Sequence, residues 1–441
     1  MPTHVVVVGG GVAALETAAA LRALAGGEPE VTVMSRAAVV ERRPLSVLAP
    51  FTGQAPSGLS LPELAERTPF TLRFGTVARV AADRHVVVLD DGEEVAYDLL
   101  VVATGAVAEP AFPGVITFRG GADADQVTEA LRDARQLVFV APSPSGWTLP
   151  VYELALLAAQ KRPDASIAVV TAEPTPLWIF GREAGEAIRA LFVGRGIALL
   201  SGVRAEALVD GQLQLADSEP IDADRAVALP RLRGPALAGL PHDAEGFLPV
   251  DAHGAVTGVA DVYAAGDVTA FPLKQGGLSA QQADAVAAAI AARLGVPGVR
   301  PEPFRPLLRG LLLTGEEPLY LRYDGARGAS QPLERGAVSS QALWWPPVKV
   351  AARHLAPLLA EPGDERTTLH DLPGFTDARP PRPENAAEMA LTVARVDAER
   401  GDYAGAVRTL DSAAALSGRP LPVEWQRIRR LWDARTRWPS R

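Results

Sequence analysis

Val5-Val6-Val7-Val8-Gly9-Gly10-Gly11-Val12-Ala13-Ala14 is the stretch from which the rest of the chain is read. Residues 3–8 form a β-branched run that predicts a buried strand, and three glycines then turn the chain into an Ala-rich helix reaching about Leu24. A second strand is expected over residues 31–34, which completes a βαβ unit of a doubly wound parallel sheet. Within Gly9-x-Gly11-x-x-Ala14, Gly9 permits the tight turn, Gly11 lets the backbone approach a pyrophosphate, and Ala14 allows close helix packing. Val12 and Ala13 open the helix, whose N-terminus would receive the phosphates. Ser35-Arg36 stand where an acidic residue for the ribose hydroxyls is expected, and a serine can still hydrogen-bond such a hydroxyl.

The 441 residues carry 43 basic and 52 acidic side chains, a formal charge of −9. At roughly 150 residues per domain this length predicts two or three domains. With 48% hydrophobic and 22% charged residues the composition is globular, which excludes wholesale disorder and fibrous repeats. The acidic balance argues against nucleic acid as a partner, because that needs an excess of phosphate-neutralising cations. There is no cysteine, so disulfides, thiolate metal sites, persulfide chemistry and redox thiol pairs are excluded. Histidines lie without ligand spacing, and no metal is expected. No apolar run of about 18 residues occurs, and the first apolar run lacks the features of a secretory leader, which predicts a cytoplasmic protein. Lysine is confined to Lys161, Lys274 and Lys349, so these positions stand out as ones needing a point ammonium.

Residues 76–105 read as a small antiparallel meander with a turn at Asp91-Gly92, and the apolar run over 97–103 returns the chain to the parallel sheet at Thr104-Gly105. A second strand, loop, helix, strand unit spans 136–170, and alternation resumes over 198–215 around Asp210-Gly211. The expected organisation is a discontinuous first domain, 1–115 and 245–300. Between its halves lies a second nucleotide-like domain, 116–244, and a β-rich and helical part, 301–360, follows. A Pro-, Gly- and charge-rich linker, 361–383, leads to a helical extension, 384–441. In that extension three helical patterns occur, about 385–400, 403–417 and 423–437, the first two resembling one tetratricopeptide hairpin.

The N-terminal glycine pattern, Ala103-Thr104-Gly105 after a meander, and Tyr263-Ala-Ala-Gly266-Asp267 before a helix together resemble the FAD-dependent pyridine-nucleotide-disulfide oxidoreductase superfamily over roughly residues 3–360. The resemblance implies an α/β fold with two Rossmann-like domains, a C-terminal β-rich region and an α-helical extension. It also implies FAD contacts from Gly9, Gly11, Val12, Ala13, Ala14, Ser35, Arg36 and Val77, and from Ala103, Thr104 and Gly105. By the same resemblance the Asp267 carboxylate, next to Gly266, hydrogen-bonds the ribityl chain. Glu41-Arg-Arg43-Pro44-Leu45 and Lys274-Gln275-Gly276-Gly277 look like the sulfide:quinone oxidoreductase and type II NADH dehydrogenase branch, which adds Arg43, Pro44, Lys274, Gln275 and Gly276 to the FAD contacts. Ser279-x-x-Gln282 reads as a capping box that starts the helix there. That helix N-terminus would face the flavin's pyrimidine edge and stabilise negative charge on it. Lys274 either adds a point charge at that end or is an exposed loop lysine.

Gly146-Trp-Thr-Leu-Pro150-Val-Tyr152-Glu153 also resembles the sulfide:quinone enzymes, which use cysteines that this chain lacks. By that resemblance Glu153 approaches the reactive edge of the flavin and relays a proton, and Glu153 and Lys274 are the candidate catalytic groups. The alternative for Glu153 is a plain helix N-terminal acid. The second glycine loop is replaced by Ala141-Pro142-Ser-Pro144-Ser-Gly146, where two prolines remove donors a pyrophosphate needs. This argues against a tight NAD(P)H site, although Glu173 holds the ribose-acid position. Trp344, Trp345 and Lys349 lie either at the quinone side or in a packed corner. The last helix, with Trp425, Ile428, Leu431 and Trp432 ringed by arginines, either docks on the inner face of a membrane or caps the helical hairpin.

The expected function is an FAD-dependent oxidoreductase passing electrons from a reduced donor, NAD(P)H by family default, to a quinone-like or other small acceptor. A homodimer stays open. The alternative is a flavin-bound scaffold with degraded catalytic machinery and a partner-docking tail.

Overall fold

The structure, a computed structural model, describes residues 2–143, 146–324, 336–344, 347–359, 385–399 and 401–437. Two five-stranded parallel sheets organise it. The first has the order Val262–Ala264, Leu99–Val102, His4–Val8, Glu30–Ser35, Thr71–Phe74. In its central strand Val5, Val6, Val7 and Val8 are all buried, and alternation assigns them to two different layers. Val5 and Val7 pack with the helices Val12–Ala25 and Gly276–Arg293, through residues such as Ala14, Leu21, Val286 and Ile290. Val6 and Val8 pack with Val80, Val87 and Val95 of the antiparallel meander Val77–Ala81, Val86–Leu89, Glu94–Ala96. Each valine so buried contributes about 1.5–3 kcal/mol of transfer free energy.

The second sheet has the order Ile116–Thr117, Arg225–Ala228, Gln136–Ala141, Ser166–Thr171, Ala198–Ser201, again parallel throughout. Leu137, Phe139 and Val169 face the layer of helix Leu149–Lys161, while Val138, Val140 and Val170 face Leu213 and Leu215 of the hairpin Ala205–Val209, Gln212–Leu215. The turn of that hairpin has positive φ at both Asp210 and Gly211, the conformation whose twist matches the strands it joins. A three-stranded antiparallel sheet follows, Leu307–Leu312, Leu319–Asp324, Gly336–Ser339. The helices Asn385–Glu399, Tyr403–Ser417 and Val423–Arg437 occupy the positions their sequence patterns predict. The proposed linker 361–383 and Trp345 lie outside the described residues.

Three local expectations resolve here. The Ser279-x-x-Gln282 capping box is not formed, because the helix begins three residues earlier, at Gly276, where the Gln275 side chain accepts from the Leu278 N–H at 2.7 Å. Ser279 and Gln282 instead tie that helix to the preceding turn: the Ser279 hydroxyl donates to Asp267 at 3.3 Å, and Gln282 Oε1 accepts from the Gly266 N–H at 2.7 Å. Trp344 is a packed corner, edge-on to Tyr320 and donating from Nε1 to the Val348 carbonyl at 3.0 Å. In the last helix Trp425 and Trp432 pack edge to face, and Arg429 pairs with Asp411 of the preceding helix.

One long-range tie positions the segment 347–359. Glu16, fully buried in the first helix, accepts from the backbone N–H groups of His354 and Leu355 at 2.7 and 2.6 Å. Burial raises its pKa, and these two donors oppose that rise. Its neighbour Asp284 is pushed up to about 8 by burial and then by the charge of Glu16.

Gly9 ends the first strand at φ +134°, and a Cβ there would sit 2.2 Å from the Ala103 carbonyl oxygen. Gly9→Ala is therefore expected to destabilise the protein by at least about 1–3 kcal/mol, read as a lower urea midpoint at unchanged slope. A midpoint equal to that of the wild type would contradict this packing.

Candidate functional site

The carboxyl end of the second parallel sheet, together with Asp267 beyond the edge strand Val262–Ala264 of the first, opens on a cavity of about 1340 Å³, and crevices at strand carboxyl ends are where open α/β sheets place their ligands. Its lining brings together Arg43, Pro44, Glu153, Asp267, Lys274, Gln275, Gly276 and Lys349, from five separate regions of the chain.

Gly9, Gly11, Val12, Ala13, Ala14, Ser35, Arg36, Val77, Ala103, Thr104 and Gly105 do not line this cavity, and the glycine turn is joined to it only through Gly266, beside Asp267. Gly9 donates its N–H to the Met34 carbonyl at 2.8 Å and lies against Ala103. A Cβ on Gly266 would come within 2.9 Å of Ala13 Cβ, so the N-terminal turn and the Gly266-Asp267 turn are in contact. Beside Gly11 there is open space, and helix Val12–Ala25 has neither a side-chain cap nor an acid in its first turn. Its first N–H groups thus face outward with the positive end of the helix dipole. Thr104 follows Ala103 at the end of its strand, and Gly105 adopts φ +76°. Ser35 is buried, and its hydroxyl donates to the Ala37 carbonyl at 2.8 Å and accepts from the Ala37 N–H at 3.2 Å. That leaves it one acceptor lone pair. Arg36 is exposed beyond it. Val77 is half-buried in the first meander strand, opposite Leu89.

Asp267 is held by Ser279, and its pKa is raised by burial against the opposing charge of Lys274. Lys274 is not an exposed loop residue: it is 9% accessible, donates to the Thr269 carbonyl, and sits 3.8 Å from the centre of the Phe247 ring. Burial lowers its pKa to about 8, with Asp267 and Asp243 pulling the other way. An ammonium so placed changes charge near neutrality, which is the range useful for proton exchange.

Glu153 is the fifth residue of helix Leu149–Lys161, beyond its first turn and with no accessible surface, so it is not a plain helix N-terminal acid. Lys349 Nζ donates to both of its oxygens, at 2.5 and 2.6 Å, and the Leu313 N–H adds a third bond at 2.8 Å. Burial raises the Glu153 pKa and the Lys349 charge lowers it. The pairing with Lys349 was not legible from spacing, since 196 residues separate the two; the scarcity of lysine is the one signal that marked the position.

Glu173 does follow the strand Ser166–Thr171, yet it is turned away from any nucleotide. It is 1% accessible and accepts from the Tyr152 hydroxyl at 2.5 Å and the Thr171 hydroxyl at 3.1 Å. Burial raises its pKa to about 7. The sequence motif supplied both residues, but only the fold shows Tyr152 spending the carboxylate that a ribose would need.

A family described as pyridine nucleotide-disulphide oxidoreductase matches residues 3–291. The chain is 31% identical to the ferredoxin reductase component of a chlorobenzene dioxygenase from Cupriavidus sp. (strain PS12), over 68% of this chain and 77% of that protein. It is 29% identical to the ferredoxin--NAD(+) reductase subunit of a benzene 1,2-dioxygenase system from Pseudomonas putida, over 66% of this chain and 75% of that one. Its fold matches the sulfide:quinone oxidoreductase of Aquifex aeolicus with a TM-score of 0.68 at 21% identity, covering 76% of this chain and 86% of that structure.

Two outcomes test the site's energetics. Lys349→Met leaves Glu153 buried without its partner and should cost about 3–5 kcal/mol in chemical unfolding, while Lys349→Met with Glu153→Leu should recover much of that loss. For Glu173, the folded pKa of about 7 lies above the ordinary 4.5, so the folded state binds the extra proton between these values. Its contribution to stability is fully present below the lower value and is lost as pH rises through the upper one. The stability advantage of wild type over Glu173→Gln should therefore shrink or reverse between about pH 5 and pH 8, as followed by urea unfolding at each pH.

Proposed function

Because the chain belongs to the pyridine nucleotide-disulphide oxidoreductase family and is an FAD-dependent oxidoreductase, we propose that it draws electrons from NAD(P)H and delivers them to a quinone or similar acceptor at the Glu153 end of the cavity. The observation that carries this reading is the buried Glu153–Lys349 pair on the same cavity as Asp267 and Lys274.

The residues fit the cofactor. The turn at Gly9 and Gly11 leaves room for a pyrophosphate beside Gly11, and the uncapped helix behind it offers N–H donors and a positive dipole end. Asp267 follows Gly266, which touches the same turn, and would take the ribityl hydroxyls. Arg43, Pro44, Gln275 and Gly276 complete that side, with Lys274 adding positive charge where a reduced flavin is anionic. When bound, FAD supplies the capacity to accept two electrons from a nucleotide and release them to a different acceptor. Glu153 then holds or moves a proton at its carboxylate, with Lys349 fixing its orientation and supplying the neighbouring ammonium. Sulfide chemistry on cysteines is excluded by composition.

The sealed Glu173 bears on the donor. It neither bonds a ribose 2′-hydroxyl nor repels a 2′-phosphate, so the two nicotinamide nucleotides should be weakly distinguished. Access of an apolar acceptor from a membrane would use the last helix, where Val423, Leu431, Arg427 and Arg430 are exposed.

Anaerobic mixing of FAD-loaded protein with NADH or NADPH should bleach the flavin, with second-order rates within about tenfold of each other. Glu153→Gln should slow turnover with a quinone by about 100-fold or more while leaving FAD bound, judged by the visible spectrum. If neither nucleotide bleaches the flavin, the flavin-bound scaffold becomes the better reading.

A further inference from the structure

Glu16, Asp284 and His354 meet at a point that the electron-transfer reading does not use. Glu16 lies in helix Val12–Ala25, Asp284 in helix Gly276–Arg293, and His354 just ahead of the short helix Leu355–Leu359. One oxygen from each carboxylate and one ring nitrogen of the histidine all lie within 4.8 Å of one another. The two long helices share one core, with Ala14, Ala18, Ala283 and Val286 in it, so both carboxylates stand on rigid supports. The Glu16 oxygens offer about four lone pairs. Backbone N–H groups of Arg353, His354 and Leu355 take three of them, and the remaining one faces Asp284. Asp284 Oδ1 is sealed from solvent and accepts no hydrogen bond. His354 Nε2 stands 3.7 Å from it, beyond hydrogen-bond range. The exposed Arg353 lends positive charge from outside, without an ion pair to either carboxylate among the described residues. An orphaned carboxylate oxygen, a second carboxylate and an imidazole nitrogen thus converge from three elements, and a cation is the group that all three can bind at once.

We propose that these three side chains hold one divalent transition-metal ion, zinc fitting best, and that the ion fastens segment 347–359 to the helices Val12–Ala25 and Gly276–Arg293. The donor set decides the class of metal: magnesium and calcium favour oxygen alone, whereas zinc takes imidazole and carboxylate together. Ligands about 2.0–2.2 Å from a tetrahedral zinc are about 3.3–3.6 Å apart, close to the separation of His354 and Asp284. These two side chains keep 21% and 28% of their surface accessible, which gives the ion an entry path and a water for its fourth position. With both carboxylates ionised and the imidazole neutral, the occupied site carries no net charge, which removes the cost of burying two like charges side by side. Fastening this segment matters because it also carries Lys349 to Glu153. The three residues are far apart in the chain, so the spacing of histidines carried no sign of the site. The inference stands independently of the electron donor and acceptor.

The test uses the full-length, FAD-loaded protein, freed of metal by a chelator and gel filtration. Calorimetric titration with Zn²⁺ should show one site per chain with a micromolar or tighter Kd, and saturating zinc should raise the urea midpoint. Magnesium at the same concentration should leave the midpoint where it was. His354→Ala, at a partly exposed position, and Asp284→Asn, which keeps the side chain's shape, should each weaken zinc binding by at least about 100-fold while the visible spectrum shows FAD retained. Wild type alone supplies a further check, since bound Co²⁺ should give the intense ligand-field bands of a four- or five-coordinate site in the difference spectrum. Absence of a saturable zinc site, zinc binding that neither substitution weakens, or a Co²⁺ spectrum like that of the free aqueous ion overturns the proposal. A magnesium effect equal to that of zinc overturns the choice of a transition metal.

Discussion

The molecule depends on a parallel strand, His4–Val8, that is buried on both faces and stops abruptly against another strand's end. Four consecutive valines satisfy two layers by alternation, odd residues toward helices and even residues toward the meander. A strand enclosed in this way cannot bend out to solvent, so the chain must turn within one residue, and Gly9 does so against the Ala103 carbonyl. The same turn brings Ala13 against Gly266 and therefore carries Asp267 to the head of the helix dipole. Local sterics and site construction are here one fact.

Charge is the second organising theme. Glu16, Glu153 and Glu173 have almost no accessible surface, and each has a distinct solution to the cost of that burial. Glu16 takes backbone donors, Glu153 takes an ammonium and a backbone donor, and Glu173 takes the hydroxyls of Tyr152, Thr148 and Thr171 with a backbone donor at Leu177. Burial raises the pKa of all three, that of Glu173 to about 7, and in each the hydrogen bonds oppose the rise. The carboxylate facing the cavity is also the one with a formal counter-charge, which suits a group meant to exchange protons without collapsing its surroundings.

Much of this architecture was legible from residue patterns. The βαβ opening, the meander, the Asp210-Gly211 hairpin and the three terminal helices all rest on short-range rules of alternation, turn chemistry and helical period, and they stand where those rules put them. The start of the helix at Gly276 did not follow, because the Gln275 side chain caps it instead of Ser279, while Ser279 and Gln282 are held by tertiary contacts to Asp267 and Gly266. Glu173 was placed correctly along the chain and wrongly in space, since side-chain direction is settled by Tyr152 packing beneath it. Partnerships across hundreds of residues, such as Lys349 with Glu153, leave no periodic trace at all.

The bond from Glu16 to the backbone at His354 and Leu355 spans 338 and 339 residues. Synthesis runs from the N-terminus, so a growing chain presents Glu16, and later Glu153, well before the groups that neutralise them have been made. Completion of the nascent polypeptide is thus a precondition for a finished electron-transfer chamber, and a prematurely terminated product would carry the fingerprint of the fold without its working interior.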